Sequence, residues 1–264
     1  MAPEQSIKEG RLAEGLAALQ ARIRGNPSSV ADRMFLFQLL SLCGDWDRAE
    51  NQLNVAAELD STLVLTTQVY RCGLAAERAR AAAYSGLKPP LVLGQPEPWL
   101  AQLFQANQLS AQGHAEQGAE LRAQALEAAP ATPGRINGVA FEWLADADPR
   151  LGPCLEMVFN GKYYWVPFHR LARLEISAPE GLSDFVWARA RASWTNGGEV
   201  SVLLPVRYPG TEAATDDQLR LARLTTWTDA GAGLSTGVGQ RLFATESDDW
   251  PLLDTRNVEF DVPG

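Results

Sequence analysis

The spacing of apolar residues changes near residue 130, and this change constrains the fold more than any other feature of the chain. Before it, apolar side chains recur every three or four residues, as in "MFLFQLLSL" from Met34, which is the period of a helix. After it come short runs rich in Val, Tyr, Phe and Trp between Gly, Pro and Asn, which are typical of strands. The sequence therefore predicts an α+β protein of two domains, with a helical domain over 1–130 and a β-rich domain over 131–264.

A phrase recurs in the helical half as "EGRLAEGLAAL", "CGDWDRAENQL" and "QGHAEQGAELR". Its glycines, Gly10, Gly44 and Gly113, are separated by 34 and 69 residues, or about one and two periods of a 34-residue unit. A small residue stands five positions after each glycine: Gly15, Ala49 and Gly118. The pattern resembles the tetratricopeptide repeat, in which the glycine turns the chain and the small residue lets two helices cross closely. It predicts a tetratricopeptide-like layer with helices near residues 12–25, 29–43, 46–59, 62–85, 98–112 and 115–128.

The segment "GLKPPLVLGQPEPWL" interrupts the helical half, because its four prolines cannot continue a helix. We expect it to pack back over the helical layer, and a partner-docking loop is the alternative. Beyond residue 130, the spacing of the strands predicts a compact antiparallel barrel or curled sheet, and the β-rich domain is accordingly expected to be barrel-like. One short helix is predicted in "TDDQLRLARL".

The stretch "CLEMVFNGKYYWVPFHR" predicts a hairpin, because Asn160 and Gly161 both tolerate the positive φ of a type I′ turn. Alternation of side chains then places five apolar residues on one face, which should be core: Leu155, Met157, Phe159, Tyr164 and Val166. The opposite face is mixed and expected to be half covered. Its Tyr163 and Trp165 either pack against the helical half or dock a partner.

Composition restricts the possible partners. The formal net charge is -9 with a pI near 4.8, and no basic run offsets it, so neither nucleic acid nor anionic membrane is an expected partner. Three scattered cysteines predict free thiols in a reducing cytoplasm. The amino terminus does not resemble a secretory signal, and no apolar run reaches the roughly 18 residues of a membrane helix. We therefore expect a cytoplasmic protein.

The sequence contains few candidates for chemistry. His114 and His169 lie in different halves without a metal-ligand spacing such as HxxxH, and "GAGLSTGVGQR" lacks the GK[ST] of a phosphate loop. We predict no metal, no cofactor and no catalytic residue. One enzymatic alternative stays open, a hydrolase that uses Asp146 or Asp148 with His169. Arg207 has either a nearby carboxylate or a partner molecule to contact, and the sequence does not choose.

Four phrases carry a family resemblance: "EPWLAQLFQANQLSAQG", "AFEWLADADPRLGPCLEMVFNGKYYWVPFHRLARLEI", "SWTNGGEVSVLLPVRYPGTE" and "GVGQRLFATESDDWPLLD". Together they resemble the ImpE family, also called TagJ, which are accessory proteins of bacterial type VI secretion systems. The resemblance implies a cytoplasmic, non-enzymatic protein that binds the small subunit of the contractile sheath through a short amino-terminal helix of that subunit. It also implies an influence on sheath assembly, or on disassembly by the unfoldase of the system, and it supplies no catalytic residues.

Stacked helix pairs form a concave surface that accepts an amphipathic helix, so the second to fourth helices supply candidate contacts. With the two hairpin aromatics, the candidate partner-binding residues are Phe35, Phe37, Gln38, Trp46, Gln52, Asn54, Tyr70, Tyr163 and Trp165. The same aromatics are also able to fill the helical core. A general clamp for peptide tails, similar to a co-chaperone, is a further alternative, and it requires a basic groove lined by Arg22, Arg33, Arg48 and Arg71.

Overall fold

A computed structural model describes residues 2–261 of the chain. Its helices are α1 Pro3–Lys8, α2 Leu12–Gly25, α3 Val30–Leu42, α4 Trp46–Leu59, α5 Val64–Tyr84, α6 Pro98–Ala111, α7 Ala115–Ala128 and α8 Asp217–Arg220. The predicted ends of α2 to α7 agree with these bounds to within two residues. The short helix α8 lies in the segment predicted for it, whereas α1 was not predicted. No helix within residues 2–261 is long and apolar enough to cross a membrane.

The repeated glycines have the roles that their spacing predicts. Gly10, Gly44 and Gly113 have φ values of +77°, +73° and +88°, so each turns the chain between two helices in a conformation that favours glycine. At the helix crossings, a Cβ on Gly15 would lie 2.8 Å from Ile7 Cγ1, and a Cβ on Gly118 would overlap Ser110 Oγ. Glycine at these two positions therefore has a steric cause, because even the methyl group of alanine would collide with a neighbouring side chain.

Thirteen strands form three antiparallel sheets within residues 2–261. Their bounds are β1 Gly134–Ile136, β2 Val139–Phe141, β3 Ala145–Asp146, β4 Cys154–Phe159, β5 Lys162–Pro167, β6 Leu171–Ile176, β7 Trp187–Trp194, β8 Glu199–Pro205, β9 Thr225–Asp229, β10 Ser235–Gly239, β11 Leu242–Ala244, β12 Asp249–Pro251 and β13 Asn257–Phe260. The main sheet has the order β2-β1-β13-β6-β7-β8-β4-β5, while β9 pairs with β10, and β11 pairs with β3 and β12.

The barrel-like prediction is wrong, because the main sheet stays open. Its outer strands β2 and β5 lie at opposite ends of the strand order, and no pairing within residues 2–261 joins them. The edge at β5 is covered instead by the segment "GLKPPLVLGQPEPWL", in which the carbonyl of Leu91 accepts a hydrogen bond of 2.9 Å from Trp165 N–H. Covering an edge in this way protects its unpaired backbone groups without closing the sheet.

The predicted hairpin register is confirmed. β4 and β5 pair Leu155 with Val166 and Phe159 with Lys162, while Asn160 and Gly161 turn the chain with φ of +49° and +71°. The five side chains predicted to share a core face belong to one hydrophobic cluster on that side of the sheet. Local turn chemistry and period-two alternation are sufficient to set this register.

Tyr163 and Trp165 on the opposite face of the hairpin are covered, which corrects the expectation of half coverage for these two residues. Tyr163 and Trp165 are 4% and 2% exposed, and they share a second hydrophobic cluster with Leu74 of α5 and Trp99 of α6. Helix α7 ends at Ala128 and the first strand begins at Gly134, yet side chains from both halves form this cluster. One face of the main sheet therefore carries the helical layer.

Candidate partner-binding site

A buried ion cluster fixes helix α5 to the sheet. Arg80 of α5 donates to Glu156 of β4 from Nε at 2.8 Å and from Nη2 at 3.0 Å. Arg241 donates to Glu156 Oε2, the oxygen that also accepts from Arg80 Nη2, and to Asp146 of β3. Tyr163 donates its hydroxyl to Glu156 as well. Glu77 of α5 lies 3.5 Å from Arg80 Nη1, so the buried cluster contains two guanidinium groups and three carboxylates.

Glu156 and Asp146 of this ion cluster have pKa shifts in opposite directions. Burial opposes the charged form of Glu156, but the charges of Arg80 and Arg241 outweigh burial and lower its pKa to about 2. For Asp146, burial outweighs the charge of Arg241 and, with the nearby charge of Asp148, raises its pKa to about 6. Glu156 is therefore the carboxylate on which the charge balance of the cluster depends.

Arg207, for which the sequence left two kinds of contact open, joins the two halves through backbone groups. Its Nη1 donates to the carbonyl of Leu42 at 2.8 Å, and its Nη2 donates to the carbonyl of Ser41 at 3.2 Å. These carbonyls lie in the last turn of α3, where a cation compensates the helix dipole. Burial lowers the pKa of Arg207 to about 10. The side chain is a helix cap inside the protein.

Three aromatic candidates of the helical half contact one residue that sequence reasoning missed. Trp187 of β7 stacks with Phe37 at a ring-centroid distance of 6.5 Å and contacts Trp46 at 6.2 Å and Tyr70 at 6.4 Å. Tyr70 also hydrogen-bonds Ser183 through its hydroxyl at 2.9 Å. These rings pack the helical layer onto the sheet. Trp187 was missed because "FVWARARASW" reads as an ordinary strand, and nothing local marks its helical neighbours.

Three of the four remaining candidates contact an arginine of the helical layer. Gln52 accepts a hydrogen bond of 3.0 Å from Arg33, and Asn54 accepts one of 2.8 Å from Arg71. Phe35 lies under the guanidinium of Arg22 at 5.8 Å, while Gln38 is half-buried. Phe35 also packs against the hydrophobic cluster that contains Phe37 and Trp187.

The arginines proposed for a tail clamp are already engaged by groups of the protein. Arg22 pairs with Glu4 at 2.9 Å and with Asp32 at 2.7 Å, and Arg48 pairs with Asp45 at 2.8 Å. Arg33 and Arg71 donate to the side-chain amides described above. The arrangement gives no support to a basic groove for a carboxylate.

The three residues of the hydrolase alternative are engaged in separate ion pairs. Asp146 pairs with Arg241, Asp148 pairs with Arg150, and His169 Nε2 lies 3.0 Å from Glu97 Oε1. No hydrogen bond or ion pair within residues 2–261 joins His169 to either aspartate. The arrangement therefore gives no support to an acid–base pair of these side chains.

An open groove lies beside α5, on the same sheet face as the buried ion cluster. Val69 and Cys72 of α5 form one wall, and Val158 and Leu203 line it where β4 meets β8. Its volume is about 760 Å³, within the roughly 300–1,000 Å³ typical of binding pockets. Arg191 adds a charged group. We refer to this feature as the α5 groove.

Sequence reasoning did not find the α5 groove, although its signal is present. The start of α5 reads "VLTTQV", and Val64, Leu65 and Val69 remain 49%, 81% and 50% exposed. Leu65 and Val69 are four positions apart and lie on one face of the helix, yet both remain exposed. Exposed apolar side chains beside a groove are typical of an interaction surface.

The fold defines the class of the protein first: an α+β protein in which a helical layer covers one face of an open antiparallel sheet. Protein VPA1032 from Vibrio parahaemolyticus, known from its crystal structure, has this fold with a TM-score of 0.90 and 24% identity. The match covers 99% of this chain and 98% of that one.

Sequence comparison then gives the family. The model of the ImpE protein family matches residues 138–259. The type VI secretion system accessory component TagJ of Pseudomonas aeruginosa is 45% identical over 261 residues, which cover 99% of this chain and 92% of TagJ. The chain belongs to the ImpE family, also called TagJ, of type VI secretion system accessory proteins.

Proposed function

We propose that the protein is a cytoplasmic, non-enzymatic accessory component of a type VI secretion system, which binds a short helix of the small sheath subunit in the α5 groove. The observation that carries the proposal is the α5 groove itself, with exposed apolar residues on a helix that is fixed at its other end. The name of the Pseudomonas relative supports the secretion-system context.

The α5 groove has the chemistry that an amphipathic helix requires. Val69, Val158 and Leu203 offer apolar contacts for the residues that recur every three or four positions on one face of such a helix. Arg191 offers a charge at the rim for an acidic residue of the partner. Binding would cover the terminal helix of the sheath subunit, and it would thereby influence sheath assembly or disassembly by the unfoldase.

Isothermal titration with a peptide of the sheath subunit's amino-terminal helix tests the proposal. Wild-type protein should bind the peptide, whereas Val69→Asp should weaken binding by tenfold or more, because a desolvated charge in an apolar contact costs well over the roughly 1.4 kcal/mol of a tenfold change. Val64→Asp is the matched control, since Val64 is equally exposed on α5 but does not line the α5 groove.

The outcomes separate the function from its location. If wild-type protein does not bind the peptide, the proposed function is wrong. If both aspartate variants bind like wild type, the partner is right and the α5 groove is the wrong surface. Selective loss in Val69→Asp supports both parts of the proposal.

A further inference from the structure

A second, smaller cavity lies between the α6–α7 hairpin and the tip of the β9–β10 hairpin. Its volume is about 170 Å³, and it shares no lining residue with the α5 groove. Asn107 and Ser110 of α6 line it together with Arg122 of α7, and Arg150 and Thr236 also line it. Three of these five side chains are polar and neutral, and the other two are positively charged. We refer to it as the Arg122 cavity.

Arg122 carries a buried charge that no carboxylate within residues 2–261 neutralises by an ion pair. The residue is 4% exposed, and its Nη2 donates only to neutral groups, Asn107 Oδ1 at 3.1 Å and Ser110 Oγ at 3.0 Å. Its Nε has no acceptor. The aspartate that influences it, Asp148, is committed to Arg150, from whose Nε its oxygens lie 2.9 and 3.1 Å away.

Such an arrangement is electrostatically incomplete. Burial lowers the pKa of Arg122, yet a guanidinium remains protonated in proteins, so the charge cannot be lost as it is in a buried lysine. Two guanidiniums and one carboxylate leave an excess of one positive charge at the cavity. An unpaired buried ion costs several kcal/mol, and an anion in the adjoining space would remove that cost.

We propose that the Arg122 cavity binds a small oxyanion, a carboxylate or a phosphate. The planar guanidinium matches the spacing of oxyanion oxygens. Ser110 accepts from Arg122 through its oxygen and retains its own proton to donate to a ligand. The volume suits a group of a few atoms and is below the roughly 300 Å³ at which pockets for larger organic ligands begin. A bound oxyanion would join the α6–α7 hairpin to the β9–β10 hairpin.

Thermal unfolding of the full chain tests this site. The protein is placed in an amine–chloride buffer, and sodium phosphate or sodium acetate is added while sodium chloride keeps the ionic strength constant. A ligand that binds only the folded state raises Tm in a saturable manner, so at least one of the two anions should do so. A response to phosphate alone assigns a phosphate site, and a response to acetate assigns a carboxylate site. Phosphorus NMR line broadening checks the binding of phosphate directly.

Two matched variants locate the binding. Ala111 is exposed and lines the cavity, so Ala111→Glu supplies a carboxylate beside Arg122 and should weaken oxyanion binding by about tenfold or more. Ala123→Glu adds the same charge at an exposed position of α7 outside the cavity and should leave binding unchanged. The proposal is overturned if neither anion gives a saturable rise in wild-type protein, or if both variants respond like wild type. Because both positions are exposed, the comparison does not depend on a core substitution.

Discussion

One face of the main sheet is closed at one end of α5 and open beside its other end. At the closed end, Arg80 and Arg241 form a buried ion cluster with Glu156, Asp146 and Glu77. At the open end, Val69 of the same helix stands beside an unfilled groove. Helix α5 is thus held against the sheet where its polar groups are paired. It is accessible to a partner where its apolar side chains are exposed.

The difference teaches how stability and binding are divided along one helix. Buried ions are costly unless they are paired, so each member of the closed end is needed by the others. Exposed apolar residues cost little in the folded monomer and gain their value when a partner covers them. Substitutions at the closed end should therefore change stability, and substitutions at the open end should change binding.

Removal of the central carboxylate should have the largest effect. Glu156→Gln removes the carboxylate that Arg80 and Arg241 share and leaves Glu77 beside Arg80 and Asp146 beside Arg241, and the free energy of unfolding should fall by about 3–5 kcal/mol in urea titrations. Glu175→Gln is the control, since Glu175 lines the open end of the same face and should change stability by less than about 0.5 kcal/mol. A loss below about 1 kcal/mol in Glu156→Gln would contradict the role of the cluster.

Asp146 and Glu156 should contribute to the pH dependence of folding stability with opposite signs. The folded-state pKa of Asp146 is about 6, above its ordinary value of 3.8, so the folded state binds more protons between these values and stability falls as pH rises through them. Glu156 has a folded-state pKa of about 2, below its ordinary 4.5, so its contribution is present above about pH 4.5 and is lost as pH falls toward 2.

Asp146→Asn isolates the first of these two contributions. The variant should lose the decline in stability between about pH 4 and 6, an effect on the order of 1–3 kcal/mol, and should keep the loss at lower pH. Urea midpoints of wild type and variant at several pH values measure both slopes. Equal slopes between pH 4 and 6 in the two proteins would show that Asp146 does not carry the effect.

Two glycines of the helical layer should differ in how an added methyl group changes stability. Gly118→Ala forces a methyl group against Ser110 and should cost about 1–3 kcal/mol of unfolding free energy. Gly25 is the last residue of α2, and a Cβ there would meet no atom within 4 Å, so Gly25→Ala should stabilise the protein by about 0.4–1 kcal/mol. Thermal unfolding measures the change in Tm of each variant, and equal changes in Tm would contradict a steric role for Gly118.

The open end should be nearly silent in stability measurements. Val69→Asp replaces a half-exposed residue of α5 and should change the free energy of unfolding by less than about 0.5 kcal/mol. Urea denaturation checks this value, and the peptide titration described above supplies the binding side of the comparison. A loss of several kcal/mol would mean that Val69 belongs to the core.

Local patterns in the sequence were sufficient for the elements and for one register. The Asn160–Gly161 turn and period-two alternation predicted the pairing of β4 with β5, and helical spacing predicted α2 to α7. These features depend on residues close in sequence, so local chemistry determines them. The division into domains at residue 130 stays a prediction.

Long-range partners could not be predicted in this way. Arg80 and Glu156 are 76 residues apart, and no local pattern around either residue indicates the other. The coverage of Tyr163 and Trp165 by helical residues such as Leu74 and Trp99 is another contact between residues far apart in sequence. The α5 groove follows from how far the helix extends over the sheet, which the sequence shows only as unplaced apolar residues at the start of α5.

The most direct test uses Cys72, which lines the α5 groove. In a Cys43→Ala background Cys154 stays buried, so the alkylation rate of the remaining half-buried thiol reports access to the groove. At a sheath-peptide concentration of about ten times Kd, roughly a tenth of the protein is free, so alkylation of Cys72 should slow about tenfold. An unchanged rate at a peptide concentration that saturates the calorimetric signal would contradict the account, because the partner would then bind elsewhere.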